Sequence, residues 1–258
     1  MPSSPRPSLE PRRPQISNDA GGFYCEHLWL TLLRWAETPA CTVGRNDHGE
    51  PLCGFLHVPA DDATCQGPAI GYTRGQSRSD LQALLTQVLA QWLPHCRRAH
   101  VRVLVTGYDN WREIIDNPTA AFARDPLLAQ GALVRALGRP LRVTAENAFY
   151  SGFYQRQYAS LGRHALSCVT LRGQVFAVDD RTLGQGPASL ARALHKFHPH
   201  IVLSLGVACS RPHYCCELHA TDRGLDATGT QHIAQAAGTG LIRTNAALAR
   251  ALVAYPLL

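Results

Sequence analysis

Apolar residues recur along the chain in two patterns, one typical of buried strands and the other of helices. Largely apolar runs of strand length occupy residues 52–58 and 101–106, and a third lies in HPHIVLSLG, which ends at Gly206. Runs without polar residues at alternate positions are typical of parallel strands covered on both faces. The pattern therefore predicts a buried, mainly parallel sheet.

Helical spacing of apolar residues appears between and after these runs. A polar turn at 18–22 precedes one helix, Ser79 or Asp80 is the expected cap of a second, Pro187 begins a third, and an alanine-rich helix covers 241–253. The buried positions expected in the first three are Leu28, Leu32, Leu33 and Trp35; Leu81, Leu84, Leu85, Val88, Leu89 and Trp92; and Leu190, Leu194 and Phe197. Strands and helices that alternate in this way predict an α/β fold.

Length and composition favour one substantial α/β domain over residues 15–258 of the 258. Residues 1–14 are mostly proline, serine and arginine, so we predict a disordered tail there. The nine cysteines are an odd number and no apolar N-terminal segment precedes them, which predicts reduced thiols and a cytoplasmic location. No apolar run approaches the roughly 18 residues that a membrane span requires, so no membrane partner is expected.

The formal net charge of +6 comes almost entirely from arginine, because Lys196 is the only lysine. Beyond the first fifteen residues no basic run occurs, and aromatic residues are not interleaved with basic ones. Nucleic acid is therefore not an expected partner.

The first candidate for chemistry is Cys25, in ISNDAGGFYCEHLWL. A polar, glycine-rich turn leads into an apolar helix here, which places the cysteine in the first turns of that helix. Helix N-termini favour negative charge, and a cysteine held there is prepared as a thiolate nucleophile. The alternative is that Cys25 is a small buried apolar residue.

The second candidate, His57, interrupts a strand-like apolar run just before Pro59 ends it. Open α/β sheets place their sites at the carboxyl ends of strands, where this histidine is expected. Alone it would be a core histidine, but beside Cys25 it is a candidate general base.

Both segments resemble the pyroglutamyl peptidases, a family of cysteine peptidases. The family's cysteine segment, S-x-x-A-G-x-[FY]-x-C-N-H-L-[FW], is matched at Ser17, Ala20, Gly21, Phe23, Cys25, His27, Leu28 and Trp29. Its histidine segment, G-F-[IL]-H-[IV]-P, is matched over residues 54–59. The resemblance implies a single three-layer α/β/α domain with a mainly parallel twisted sheet, and a cysteine–histidine pair that cleaves amides.

A third segment, VRVLVTGYDNWREIIDNPT, resembles the family's opening L-[LV]-T-G-F-x-P-F-G-G-x-x-x-N-P-[ST]. Tyr108 and Trp111 stand where the family has two phenylalanines that flank the pyroglutamyl lactam, and Asn117 also matches. The alternative for the two rings is ordinary packing on a loop. Arg112 and Glu113 replace two glycines, which would narrow the slot between the rings or change its charge.

These segments occur in an order that differs from the family's, which implies a circular permutation. The cysteine and histidine segment, 15–93, comes first; a surface linker at 94–100 joins it to the aromatic-loop and glutamate segment, 101–258. Chain termini generally lie on the surface and often close together, so such a rearrangement costs little. Gly107 is expected to begin the aromatic loop.

The last segment, GVACSRPHYCCELHATD, resembles the family's G-Q-A-G-G-R-x-x-[IL]-x-x-E-R-x-A. Glu217 matches the glutamate that completes the family's catalytic site, where a carboxylate would orient His57. Arg211 matches the arginine and is a candidate for stabilising the oxyanion. Val207 replaces a glutamine of the substrate pocket, so substrate preference can differ from the family's.

The predicted function is removal of an N-terminal pyroglutamyl group from peptides by Cys25, His57 and Glu217. Two alternatives remain: a cysteine amidohydrolase or acyltransferase that acts on another small or cyclic amide, and an inactive binding homologue. The expected partner is a peptide or small amide, and a homo-oligomer is compatible with the sequence. No cofactor and no metal are expected.

Two further groups of residues have alternative interpretations. A zinc site at His213, Cys215, Cys216, His219 and His232 is disfavoured by its spacing, although oxidation of Cys209, Cys215 or Cys216 is an alternative role. The aromatic stretch AENAFYSGFYQRQY is either a flap over the site or satellite packing, and we favour packing.

Overall fold

The computed structural model describes residues 14–18, 24–64, 72–111, 114–124, 140–147, 152–159, 168–183, 186–209, 211–220 and 243–253. The tail predicted at 1–14 lies outside these residues except for Pro14. Among the described helices, none is long and apolar enough to cross a membrane.

Eight strands form one mixed sheet in the order β1-β8-β2-β7-β3-β6-β5-β4. The bounds are β1 Gln15–Ser17, β2 Cys53–Pro59, β3 His100–Tyr108, β4 Pro140–Asn147, β5 Gly152–Ala159, β6 Cys168–Phe176, β7 Ile201–Ala208 and β8 Cys215–Glu217. Two short strands, β9 His219–Ala220 and β10 Arg243–Thr244, pair separately and antiparallel.

The centre of the sheet is parallel: β2 pairs with β7, β7 with β3, and β3 with β6. Antiparallel pairs extend it at both sides, through β8 against β2 and through β5 and β4 beyond β6. The prediction of an α/β fold is therefore confirmed, with a sheet that is more mixed than expected. The aromatic stretch supplies β5, whereas Phe149 and Tyr150 lie outside the described residues.

Helices cover both faces of the sheet, since its alternate strand residues enter two separate hydrophobic clusters. The helices are α1 Tyr24–Ala36, α2 Arg74–Trp92, α3 Pro118–Arg124, α4 Asp180–Leu183, α5 Leu190–Phe197 and α6 Ala247–Val253. Helices α2 and α6 contribute to one cluster, and α1 and α5 contribute to the other. Nearly all the helical positions expected to be buried are buried, and Trp35 is partly so.

The start of α2 corrects the sequence prediction. Neither Ser79 nor Asp80 caps it: Thr73 is the N-cap, its side chain accepts the Gln76 N–H, and the Gln76 side chain accepts the Thr73 N–H in return. This reciprocal pair satisfies two N–H groups that the helix leaves unpaired. The helix therefore begins six or seven residues earlier than predicted.

Two other boundaries differ from the prediction. Gly107 does not begin a loop but remains in β3, where a Cβ would collide with the backbone of Thr119 in α3. The C-terminal helix begins at Ala247 rather than at 241, because Arg243 and Thr244 form β10. Asn245 then accepts the Ala247 N–H and starts the helix.

The segment predicted as a surface linker is only partly exposed. Leu93–His95 forms a 3₁₀ turn and Cys96 is buried. Arg97, Arg98 and Ala99 are exposed, and His100 already belongs to β3.

Candidate active site

Three of the predicted residues, Cys25, His57 and Glu217, come together at the carboxyl ends of β2 and β7. Cys25 is the second residue of α1, His57 lies near the end of β2, and Glu217 ends β8. The register pairs His57 with Gly206 of β7, and Phe55 with Glu217. Side chains two residues apart on a strand share a face, so Phe55, His57 and Glu217 lie on one face of the sheet.

The Cys25 sulfur packs against β7 at Gly206, a residue that has no side chain. A Cβ at Gly206 would lie 2.9 Å from Sγ of Cys25 and 2.8 Å from Cζ of Phe55. The Phe55 ring in turn meets the His57 ring edge to face, with centroids 5.1 Å apart. Gly206 therefore leaves the space that the thiol occupies.

His57 connects the thiol to a buried carboxylate. Its Nδ1 lies 2.7 Å from Oε1 of Glu217, and the side chain of Cys25 forms a further hydrogen bond with the ring. Because Nδ1 faces Glu217, Nε2 is the nitrogen left for Cys25. The Glu217 side chain is fully buried and His57 nearly so.

The electrostatics favour a charged imidazole. Burial by itself would lower the pKa of His57, but the neighbouring Cys25 and Glu217 raise it to about 9. A histidine that is protonated at neutral pH and held beside a thiol can give a proton to a leaving group, and the sulfur beside it is the candidate nucleophile.

Arg211 contacts Glu217 rather than open space. Its Nη1 lies 2.5 Å from the same Oε1 and donates to Oγ of Ser17 at 3.0 Å. Burial lowers the pKa of Arg211, but Glu217 and Cys215 outweigh burial and raise it. Arg211 therefore ties the edge strand β1 to the carboxylate, and this contact differs from the predicted oxyanion role.

Tyr108 lies close to the thiol, with its hydroxyl turned towards the sheet. The hydroxyl is 3.0 Å from Oγ of Ser204, which is 2.8 Å from Oγ1 of Thr106. Burial raises the pKa of Tyr108; hydrogen bonds from Ser204 and Thr106 oppose this, and the Cys25 charge adds to it. The hydroxyl is thus occupied inside the protein, and the ring is buried in the hydrophobic cluster that α1 and α5 share.

Trp111 and Asn117 shape the loop between β3 and α3. Trp111 and Ile114 exchange backbone hydrogen bonds of 3.0 and 2.9 Å. The buried Asn117 side chain accepts the Thr119 N–H and hydroxyl and donates to the Asp109 carbonyl at 3.3 Å. Asn117 therefore holds the loop and starts α3. The residues Arg112 and Glu113 lie outside the described part of the chain.

Val207 follows Gly206 in β7 and pairs in register with Val58. Because side chains alternate along a strand, Val207 belongs to the face opposite Cys25. The structure therefore does not place the Val207 side chain beside the thiol, whereas the resemblance to the pyroglutamyl peptidases implied that it would lie there.

Sequence reasoning missed an ion pair at the same edge of the sheet. Nε of Arg74 lies 2.6 Å from Oδ2 of the buried Asp61, and Nη1 of the same side chain lies 3.2 Å from Oδ1 of Asp116. It thereby joins the loop after His57 to the loop that carries Trp111. Asp61 and Arg74 both precede the apolar positions that predict α2, and their thirteen-residue separation gave no indication of contact.

Within the described residues, no three His, Cys, Asp or Glu side chains are grouped so that they could hold a metal ion. Comparisons of the chain with protein-family models, with curated proteins and with solved structures found no match.

Proposed function

We propose that the protein is a cysteine hydrolase of amides, related to the pyroglutamyl peptidases through a circular permutation. The observation that carries the proposal is the continuous chain from Cys25 through His57 to the buried Glu217, with 2.7 Å between Nδ1 and Oε1. A nucleophile, a base and a group that orients the base are the parts that acyl transfer requires.

In the first step, the thiolate of Cys25 attacks the amide carbonyl carbon and forms a carbon–sulfur bond. The carbonyl π electrons move to oxygen, and N–H groups in the first turn of α1 stabilise the oxyanion. When the intermediate collapses, the carbon–nitrogen bond breaks. Nε2 of His57 gives its proton to the leaving amine, which departs neutral.

In the second step, water hydrolyses the thioester. The now neutral His57 accepts a proton from water while the oxygen attacks the acyl carbon, and the carbon–sulfur bond breaks to restore the thiolate and the imidazolium. Arg211 contacts the same oxygen of Glu217 that faces His57. Glu217 orients the ring and stabilises its positive charge.

The substrate we propose is an N-terminal pyroglutamyl peptide. The proposed first wall for the flat lactam is the ring of Tyr108, which the hydroxyl contact with Ser204 and the packing on Phe176, 6.3 Å between centroids, hold in a fixed position. Trp111 follows on the same loop and is the proposed opposite wall. An apolar slot of this kind fits a small cyclic amide.

The test is release of a fluorogenic amine from a pyroglutamyl amide under reducing conditions. We expect turnover by the wild type, none by Cys25→Ala, and unchanged turnover by Cys41→Ala, which removes another partly exposed thiol. Iodoacetamide at mildly acidic pH should alkylate Cys25 before the other cysteines, because the imidazolium favours its thiolate.

Turnover and alkylation together distinguish the proposed function from its two alternatives. Selective alkylation without pyroglutamyl turnover would reject the substrate but retain a cysteine amidohydrolase or acyltransferase, whose acyl donor would then be sought among other small amides. Absence of both turnover and selective alkylation in folded protein would reject the catalytic function and leave a binding homologue.

A further inference from the structure

A cluster of basic side chains lies at the amino ends of β3, β6 and β7, the edge of the sheet opposite Cys25. Arg102 follows the start of β3, and His200 immediately precedes β7. His100, also in β3, reaches β6, because its Nε2 lies 2.7 Å from Oγ1 of Thr170. The exposed Arg98 precedes β3.

His200 is buried, and its hydrogen bonds fix its protonation. The backbone N–H of Arg102 donates to Nδ1 of His200 at 3.0 Å, so Nδ1 carries a lone pair and the ring proton sits on Nε2. Yet Nε2 lies 3.3 Å from Nη2 of Arg102. A guanidinium nitrogen can only donate, so two donors face each other there.

The surrounding charges have the same sign. Burial lowers the pKa of His200 to about 4, and the charges of Arg102, Arg98 and His100 contribute to this. The pKa of Arg102 is also lowered, mainly by burial and to a smaller extent by the charge of Arg98. Within the described part of the chain, no carboxylate forms an ion pair with Arg98 or Arg102; the Nε of Arg102 donates to the His198 carbonyl at 2.8 Å.

We propose that this cluster binds a small oxyanion of the phosphate class between Nε2 of His200 and the guanidinium of Arg102, with Arg98 and His100 beside it. An oxyanion accepts from both facing donors at once, which resolves their conflict. A guanidinium matches the oxygens of phosphate in a bidentate manner, and a dianion gains more from several cations than a carboxylate does. The site is separate from the proposed catalytic site and does not depend on it.

The experiment is a titration of the full-length protein with inorganic phosphate at pH 7, followed by the ¹⁵N–¹H signals of the histidine rings, with ionic strength held constant by sodium chloride. We expect saturable shifts of the His200 Nε2 signal. Arg98→Ala should weaken binding about threefold to fivefold, as expected for one exposed charge. Arg97→Ala is the matched control, since Arg97 is also exposed, and should bind as the wild type does.

Titrations with other anions decide which class of ligand the site binds. Glycerol phosphate that binds as inorganic phosphate does would show that the site accepts a phosphate group on a larger molecule, whereas binding of inorganic phosphate alone would assign the free ion. Equal binding of acetate would overturn the phosphate class. Shifts that are not saturable, or that Arg97→Ala reduces as much as Arg98→Ala does, would overturn the site, because they would report general screening.

Discussion

At the scale of single residues, the site depends on one position without a side chain. The Cys25 sulfur can approach the sheet only because Gly206 has no Cβ, and the Phe55 ring closes the same space. The thiol is thus held between a helix and a strand backbone, both of them regular elements. Groups positioned on such elements are held more precisely than groups on loops.

Gly206→Ala should therefore impair catalysis more than folding. The new Cβ would lie 2.9 Å from Sγ and must displace the thiol or the Phe55 ring. We expect kcat/KM to fall about 100-fold, as displacement of a reacting group by about 1 Å does, and the free energy of unfolding to fall by about 1 to 3 kcal/mol. Gly186→Ala is the control, since nothing lies within 4 Å of its Cβ. Wild-type turnover by Gly206→Ala would contradict the placement of the thiol.

The charge of Glu217 should be visible in the pH dependence of turnover. In the proposed reaction, His57 must be protonated to release the amine. The alkaline limb of kcat/KM is therefore expected near the His57 pKa of about 9. Glu217→Gln removes a negative neighbour that raises this pKa, so the limb should move to lower pH and kcat/KM should fall by roughly 10² to 10⁴.

The control for this variant is Glu50→Gln, which removes a carboxylate that pairs with Arg250 at the amino end of β2. Its pH profile should match that of the wild type. An alkaline limb that stays in place in Glu217→Gln would mean that the carboxylate does not act on His57.

At the scale of elements, the start of α2 is set by Thr73 and not by the apolar face of the helix. The Thr73 and Gln76 side chains each accept the other residue's backbone N–H. Thr73→Ala should lower the free energy of unfolding by about 1 kcal/mol. Ser79→Ala is the matched control, because Ser79 is exposed within the helix, and it should change stability by less than about 0.5 kcal/mol. Urea unfolding measures both, and an equal loss in both variants would reject the cap.

The same helix illustrates what the sequence could predict. Leu81 to Trp92 follow helical spacing, so the helix and its buried face were predictable, but the first two turns, RGQSRSD, carry no apolar residue that would indicate a helix. Gly107 was interpreted as the start of a loop, although it stays in β3 because α3 packs against it. Contacts between distant segments decide such boundaries, and local patterns do not contain them.

The candidate site shows the same division between local and distant information. Cys25, His57 and Glu217 were predictable because each lies in a recognisable segment. The hydroxyl contacts of Tyr108 with Ser204 and the pairing of Arg74 with Asp61 were not, since they depend on strand register and on loop packing. The predicted roles of Arg211 and Val207 ignored the direction that their side chains take.

At the scale of the whole molecule, the two segments joined near residues 97 and 98 are interleaved in the sheet. The first contributes β1 and β2, but β8 of the second lies between them and β7 lies beyond β2. Neither β1 nor β2 has a partner strand from its own segment. The proposed catalytic groups are divided likewise, with Cys25 and His57 in the first segment and Glu217 in the second.

Two fragments, 1–97 and 98–258, should therefore fold only together. Separately, fragment 1–97 lacks every strand that pairs with β2, so its Cys53, which is fully buried in the intact chain, should react rapidly with a thiol reagent. Mixed and refolded together, the fragments should protect Cys53 and Cys216 and regain turnover, because the cut falls among exposed residues and interrupts no strand. The control is the intact chain taken through the same refolding. Protection of Cys53 in fragment 1–97 alone would contradict the interleaved sheet, since that fragment would then bury β2 without β7 and β8.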